Sequence, residues 1–580
     1  MDKSWFRKLR CGAFIHWGLY AIPGGVWKGQ EVDYIGEWIQ ALLRIPNAEY
    51  AQLASQFNPV AFDADKLVSA FARAGLGYLV FTAKHHDGFC LFDTQYSDYN
   101  SMKAPCHRDF VRELSEACAK YGVKMGLYYS HCLDWHEKDA CDPRPVAKNM
   151  GICTWGNDWD FPHQEEKDFG RYFQGKVLPQ IRELMTNYGP ISVLWADCPF
   201  PDVTAQRAQE LADLVHQLQP QCLVNSRICG VERMGDYGTL GDNEVPAGVS
   251  PEDFPSEGII TLNDTWGYKR NDHNWKSART VEGILLDAAQ AGANLLVNFG
   301  PDGQGDLPAP CWTLLEELAQ WHQVTGEALH CDGRNPLPQT LEWCRLLGKG
   351  RKLWIFPTGK AGDSALLSGV EGELVSCSVP AERLPDGDWR LTHLTELAAK
   401  NLPAVMEFRE PPRYDSRLRL QNGILTLAAT QGKLFHGEKE LKPGEGAFVG
   451  PAGETMGDAG HSFLTPLGLR NWANPQDSIQ WSCLLPPGNY QIRLLTRQMW
   501  HRKPWDSQRK VRLEALGQAW ETVLQPDQRE TENLYYQGNY SQVATLQVAG
   551  NQEVIIKLST VREPSPQAEI RLEALEIRRL

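Results

Sequence analysis

Over roughly the first 330 residues, short apolar runs alternate with stretches whose apolar positions recur every three to four residues. "GAFIHWG" opens as a strand. Asp63 then precedes a helix that puts Leu67, Val68 and Phe71 on one face, and Gly75 stops it. An aspartate there accepts a free first-turn N–H, and glycine takes the left-handed turn that ends a helix. "GYLVFTA" follows as a strand. A helix from about Asp109 to Tyr121 ends at Gly122, and "VKMGLYYS" is the next strand. Helices near 168–188, 204–218 and 279–292 lead into the strands "ISVLWAD", "CLVNSR" and "ANLLVNFG". Strand–helix alternation of this kind means parallel strands with helical crossovers.

Polar residues fall where these strands end: His16 after "AFI", His85 after "VFTA", Tyr128 after "MGL", Asp197 after "VLWA" and Arg227 after "LVNS". Barrels carry their sites at the C-terminal strand ends. Five such residues in succession favour a (β/α)8-like, TIM-type barrel over an open doubly wound sheet, with 1–335 as the catalytic unit. The pattern then changes. "GRNPLPQTLEW" is a Pro-containing linker, followed by short strands and many turns. A second break near 451–460 precedes "SIQWSCLLPPGNYQIRLLTR". Two antiparallel β-sandwiches are expected, at 336–452 and 453–580, the second of a carbohydrate-binding kind.

Composition narrows the function. A net charge of −14 argues against nucleic acid, which needs clustered Lys and Arg. No apolar run reaches the length of a membrane span, and the N-terminus lacks a signal core, so no membrane partner and a cytoplasmic location are expected. The 15 cysteines are scattered, which suits reduced thiols. "HCLDWHEKDAC" (131–141) matches no zinc spacing. "ENLYYQG" at 532–538 resembles a protease site but lies within a domain. The 20 tryptophans often neighbour polar residues, as in "HWG", "EWI", "DWH", "WAD" and "TWGY". Any single tryptophan can simply be core, but the repeated pairing suits sugars, which offer C–H patches to rings and hydroxyls to polar groups.

"YLVFTAKHHDGFCLFDT" (78–94) sets His85, His86 and Asp87 after an apolar run. Adjacent strand residues point to opposite faces, so two neighbouring histidines do not readily share one ion. No HExxH helix is present either, which favours a hydrogen-bonding pair at a strand end over metal ligands. In "ISVLWADC", Ile191, Val193, Trp195 and Asp197 share a face. By position alone, Asp197 is an ion-pair partner of Arg227, a ligand-binding group or a nucleophile.

Taken together, "FRKLRCGAFIHWGLYAIPGGVW", "GEWI", "FTAKHHDGFCLFDTQYSDYN", "GLYYSHCLDW", "VLWAD", "VNSR" and "SEGIITLNDTWGYKRND" resemble the α-L-fucosidases of glycoside hydrolase family 29 over about residues 5–330. The resemblance implies a barrel backed by a β-sandwich, and retaining exo-hydrolysis of fucosylated glycans or glycosides through a covalent fucosyl-enzyme, with no metal or organic cofactor. It makes Asp197 the nucleophile, with Ala196 and Cys198 where many relatives have a "WFDG"-like run. His16, Glu37, Trp38, His85, His86, Tyr128, Trp195, Arg227 and Trp266 match positions lining the fucose pocket. The acid/base lies on a loop that aligns poorly. Glu257 and Glu244 are weighed equally, Asp242 stands behind them, and Glu252 and Asp253 read as solvated charge. The competing readings are a glycosidase for a related sugar such as an α-L-galactoside and a non-catalytic carbohydrate-binding relative. The sequence is also compatible with a homo-oligomer.

Overall fold

The computed structural model describes residues 2–141, 156–198, 203–229, 234–244, 254–441, 463–465, 468–470, 477–498, 510–524, 539–561 and 570–580. Glu252, Asp253 and the 532–538 stretch lie outside them.

Eight parallel strands form the first unit's sheet: β1 (Cys11–Ile15), β2 (Tyr78–Lys84), β3 (Lys124–Tyr129), β4 (Val193–Ala196), β5 (Leu223–Val224), β6 (Gly238–Asp242), β7 (Ser256–Thr261) and β8 (Asn294–Phe299). They pair in the order β5-β4-β3-β2-β1-β8-β7-β6. Between the two ends of that sheet stands a single parallel bridge, Asn225 to Tyr237, so the strands close as a (β/α)8-like barrel. The helices start and stop where the side chains dictate. Asp63 accepts from the Lys66 N–H at the head of α1 (Ala64–Arg73). Asp109 accepts from the Arg112 N–H at the head of α2 (Phe110–Tyr121), and Gly122 ends α2 at φ 72°.

Side chains alternate inward and outward along each strand. Phe14, Val80, Tyr128, Val193, Trp195, Leu223, Ile259 and Leu296 fill the barrel's centre. The register sets its layers. Thr261 of β7 pairs with Asn298 of β8 at the C-terminal end, Ile259 with Leu296 in the middle and Glu257 with Asn294 at the entry end. The same alternation carries His16 and Asp197, each two residues beyond a core side chain, out to the C-terminal mouth.

The "HCLDWHEKDAC" stretch builds a buried charge network rather than a zinc site. Asp134 accepts from Lys84 Nζ at 3.2 Å and Lys176 Nζ at 2.9 Å, and all three side chains are essentially inaccessible. Lys176 also reaches Glu137, and Lys84 donates to the Tyr172 hydroxyl. Removing the anion between two buried cations is costly because Lys84 is left without a carboxylate and Lys176 keeps only Glu137. Asp134→Ala is therefore expected to lose about 3–5 kcal/mol of stability, read as a fall in the urea midpoint. A change under 1 kcal/mol would contradict a structural role for this network.

Beyond the linker the second unit is built mainly of β-strands, with one short α-helix, Thr395–Lys400, among its described residues. One sandwich has a sheet of Cys344–Lys349, Lys352–Pro357, Leu374–Cys377 and Ala404–Phe408 and another of Ser364–Leu367, Ala381–Arg383 and Trp389–Thr392. The other sandwich begins earlier than the expected boundary at 453. Ile424–Ala428 pairs with Ile570–Arg579, and Lys433–His436 pairs with Asp477–Leu485. Leu425, Leu427 and Leu434 enter its core, so these strands belong to it and not to the preceding sandwich. Among the described residues no helix is long and apolar enough to cross a membrane.

Candidate active site

Seven of the eight strands bring site residues to the C-terminal mouth of the barrel. Asp197 stands just past β4. Its Oδ2 accepts from the Tyr128 hydroxyl at 2.8 Å and its Oδ1 from Arg227 Nη1 at 3.1 Å. Burial alone would raise this carboxyl. The Arg227 charge, backed by the Tyr128 hydroxyl, more than offsets it and holds Asp197 below the usual carboxylate range. An ionised oxygen pointed into a pocket is what a nucleophile requires.

Arg227 bridges two carboxylates. Its Nη2 donates to Asp242 Oδ1 at 2.5 Å and to the Leu240 carbonyl at 2.9 Å. Asp242, at the end of β6, thus lies within the span of one guanidinium from Asp197. Both carboxylates are reachable from solvent, at 15% and 24% side-chain exposure. The guanidinium also lies over the Trp195 ring, 4.9 Å from its centroid.

The histidines are neutral and their tautomers are set. Burial drives His86 down to about 3 and His16 to about 4. The Ser130 hydroxyl donates to the Leu133 carbonyl at 2.8 Å, so it accepts from His86 Nδ1–H at 2.7 Å. His86 Nε2 is then a bare acceptor, 3.9 Å from Asp197 Oδ2. His16 Nδ1 lies 2.7 Å from Asn298 Oδ1, and Asn298 Nδ2 donates to the Trp266 carbonyl. That leaves His16 Nε2 as an acceptor too. His85 is buried against Tyr128 and His86, and its Nδ1 has no partner in the protein. Glu37 accepts from the Gly267 N–H and the Thr265 hydroxyl through Oε2, while buried Oε1 has no partner, and burial raises the carboxyl to about 7. Trp38 stands edge-on to His86 and Trp266 lies against His16. A pocket lined by bare imidazole acceptors, orphaned polar atoms and indole walls suits a small polyhydroxylated ring with an apolar edge.

The expected residues therefore assemble, with two corrections among the acid/base candidates. Glu257 is on β7's inward face but at the entry end, four residues below Thr261, or about 13 Å along the strand. It is fully buried in the barrel's core, where it accepts from Trp195 Nε1 at 3.0 Å and pairs with the Tyr78 hydroxyl at 2.7 Å. Burial raises it to about 7. It steadies the Trp195 indole from beneath and does not face the mouth. Glu244 is buried and follows Asp242 by two residues, beyond the end of β6. Asp242, weighed last, is the carboxylate the fold sets beside Asp197.

Ser130 and Asn298, which orient the histidines, were missed, although Asn298 in "LLVNFG" obeys the same strand-end rule as the other five. A test separates the roles of Glu257. Glu257→Gln keeps both polar contacts and should retain turnover within about threefold, whereas Glu257→Leu leaves two buried donors unpaired at about 1–3 kcal/mol each, lowering both Tm and kcat. A Gln variant as inactive as an Asp197 variant would return Glu257 to the chemistry.

Comparison with known proteins agrees with this geometry. The family model described as alpha-L-fucosidase matches residues 1–327. Human plasma alpha-L-fucosidase is 27% identical over 350 residues, covering 56% of this chain and 69% of that one. Rat tissue alpha-L-fucosidase is 29% identical over the same length and shares. Among solved structures, the alpha-L-fucosidase from Vibrio sp. strain EJY3 aligns with 100% of this chain and 98% of its own at TM-score 0.79 and 27% identity. The Lactobacillus casei alpha-L-fucosidase, solved with its α-L-fucose product, is 38% identical and covers 56% of this chain and 100% of its own at TM-score 0.52. With the family model covering more than half the chain and a carboxylate, arginine and histidine pocket at the barrel mouth, the chain belongs to the α-L-fucosidase family of glycoside hydrolases.

Proposed function

We propose that this protein is a retaining exo-α-L-fucosidase in which Asp197 is the nucleophile and Asp242 the acid/base. The observation that carries the reading is the Asp197–Arg227–Asp242 bridge. Retaining enzymes need two carboxyls about 5–5.5 Å apart, closer than inverting enzymes, which leave room for a water between them. One shared guanidinium ties the two carboxylates to each other, which supports the close arrangement over the open one.

In the first step Asp197 Oδ attacks the anomeric carbon, and Asp242 gives its proton to the leaving glycosidic oxygen. Asp242 must be protonated at this point, and the ionised Asp197 disfavours a second negative charge beside it. Forming the fucosyl-Asp197 ester removes the Asp197 charge. The Arg227 charge then acts on Asp242 alone and favours its carboxylate, the form that next takes a proton from water. Water attacks the anomeric carbon, the ester breaks, and L-fucose leaves in its original α configuration. His16, His85, His86 and Glu37 bind sugar hydroxyls, and Trp38 and Trp266 supply apolar walls for the ring edge and the C5 methyl. A C6 hydroxyl against such a wall would lose water without gaining a partner, which disfavours an L-galactoside.

Variants of the Lactobacillus casei relative were solved with 4-nitrophenyl-α-L-fucopyranoside and with Fucα(1,6)GlcNAc, so these are the first probes here. Proton NMR of the first product from the nitrophenyl fucoside should show α-L-fucose before mutarotation. Initial β-L-fucose would overturn the retaining reading, and no hydrolysis of either probe by folded protein would overturn the substrate.

A further inference from the structure

We propose that His86, Asp197 and Cys198 form a site for a thiophilic divalent metal, best matched to Zn2+, whose occupation blocks the nucleophile. The three side chains present a nitrogen, an oxygen and a sulfur donor, all within 4.8 Å of one another. Cys198 Sγ is 3.8 Å from His86 Nε2, and Asp197 Oδ2 is 3.9 Å from the same nitrogen. Zinc bonded tetrahedrally to N, O and S at their usual lengths sets donor–donor edges of roughly 3.3–3.7 Å. The two edges that meet at His86 Nε2 need to contract by only a few tenths of an ångström to grip an ion, and the third lies within 4.8 Å.

Each donor is aimed for this. The Ser130 bond fixes the proton of His86 on Nδ1 and leaves Nε2 as a ligand, the kind of outer hydrogen bond that metal-binding histidines use. Asp197 and Cys198 are neighbours, and on a continuing strand their side chains would diverge. Cys198 instead sits at φ 54°, a left-handed turn where glycine is at home, and this brings its thiol round to the side of the carboxylate. A hard cation would gain nothing from the sulfur, so the donor set selects zinc or a similarly soft ion over magnesium or calcium. Three protein ligands at a pocket mouth leave the fourth position open. The Arg227 charge opposes a second cation, but it is shared between two carboxylates.

Binding would displace the thiol proton and occupy the oxygen that attacks the sugar. Zinc and fucose should therefore exclude each other. Only that competitive readout rests on the proposed fucosidase reading, because metal binding itself can be followed without turnover. An exposed cluster, His163, Glu165 and Glu166, offers a second place for zinc, so the test must be specific to sulfur.

The experiment is a titration of the full-length protein with Co2+, followed by the near-ultraviolet thiolate-to-cobalt charge-transfer band, together with Zn2+ inhibition of nitrophenyl fucoside hydrolysis. Wild type is compared with Cys198→Ala and with Cys198→Gly, which relieves the left-handed backbone. The expected result is one thiolate-bound cobalt per chain, displaced by fucose. In both variants the band disappears and zinc inhibition weakens on the order of 100-fold, in line with loss of a metal–thiolate bond. A wild type without the band, a band that survives in both variants, or equal inhibition of all three proteins would overturn the site.

Discussion

Asp197→Gly should lower turnover of an aryl α-L-fucoside by on the order of ten-thousand-fold or more, the scale on which an enzyme loses rate with its nucleophile. Arg227 and the Tyr128 hydroxyl remain, both aimed at the vacated position. An anion of the right size can take that place. Azide should therefore restore turnover and yield β-L-fucosyl azide, because it attacks from the nucleophile's side and no second displacement follows. Stability should fall little, since Asp197 is partly exposed and is not part of the core packing. Rescue without a fucosyl azide, or turnover within tenfold of wild type, would remove Asp197 from the nucleophile's role.

Asp242→Ala is the complementary case. General acid–base assistance is worth about a hundred- to ten-thousand-fold. The loss should scale with how badly the leaving group needs a proton. A nitrophenyl fucoside should still form the fucosyl-enzyme at close to the normal rate, whereas Fucα(1,6)GlcNAc should be hydrolysed more slowly by most of that factor. Azide should attack the accumulated ester and give α-L-fucosyl azide, opposite in configuration to the product from the Asp197 variant. Glu244→Ala and Glu257→Gln should give no azide adduct. If either of them behaves as described for Asp242→Ala, the acid/base belongs there and the Arg227 bridge is only an ion pair.

Much of the barrel was legible because local rules act alone there. Period-two strands, Asp63 and Asp109 as helix caps and Gly122 as a stop all act within a few residues, and the structure follows them. The strand-end rule likewise gathered His16, His85, Tyr128, Asp197 and Arg227. Asp242 stood only third among the candidates: "GTLGDN" has no apolar alternation to mark a strand end, and its strand pairs irregularly with β7. Glu257 shows the opposite error. Its motif stood out, but counting along "SEGIIT" puts it at the entry end of a fully buried strand, where a carboxylate faces the core. The sandwich boundary failed for another reason. Ile424–Ala428 and Lys433–His436 find partners more than 40 residues further along the chain, and local patterning carries no information about such pairing.

The most direct test of the account is to trap the covalent species. The wild-type protein is incubated with 2-deoxy-2-fluoro-L-fucosyl fluoride, whose fluorine slows breakdown of the ester, and is then digested and sequenced by mass spectrometry. The account predicts one deoxyfluorofucosyl group per chain, on the peptide containing "VLWADC" and localised to Asp197, with loss of activity in step with labelling. A label on Asp242, Glu244 or Glu257, or an enzyme that hydrolyses fucosides yet never acquires a label, would contradict it.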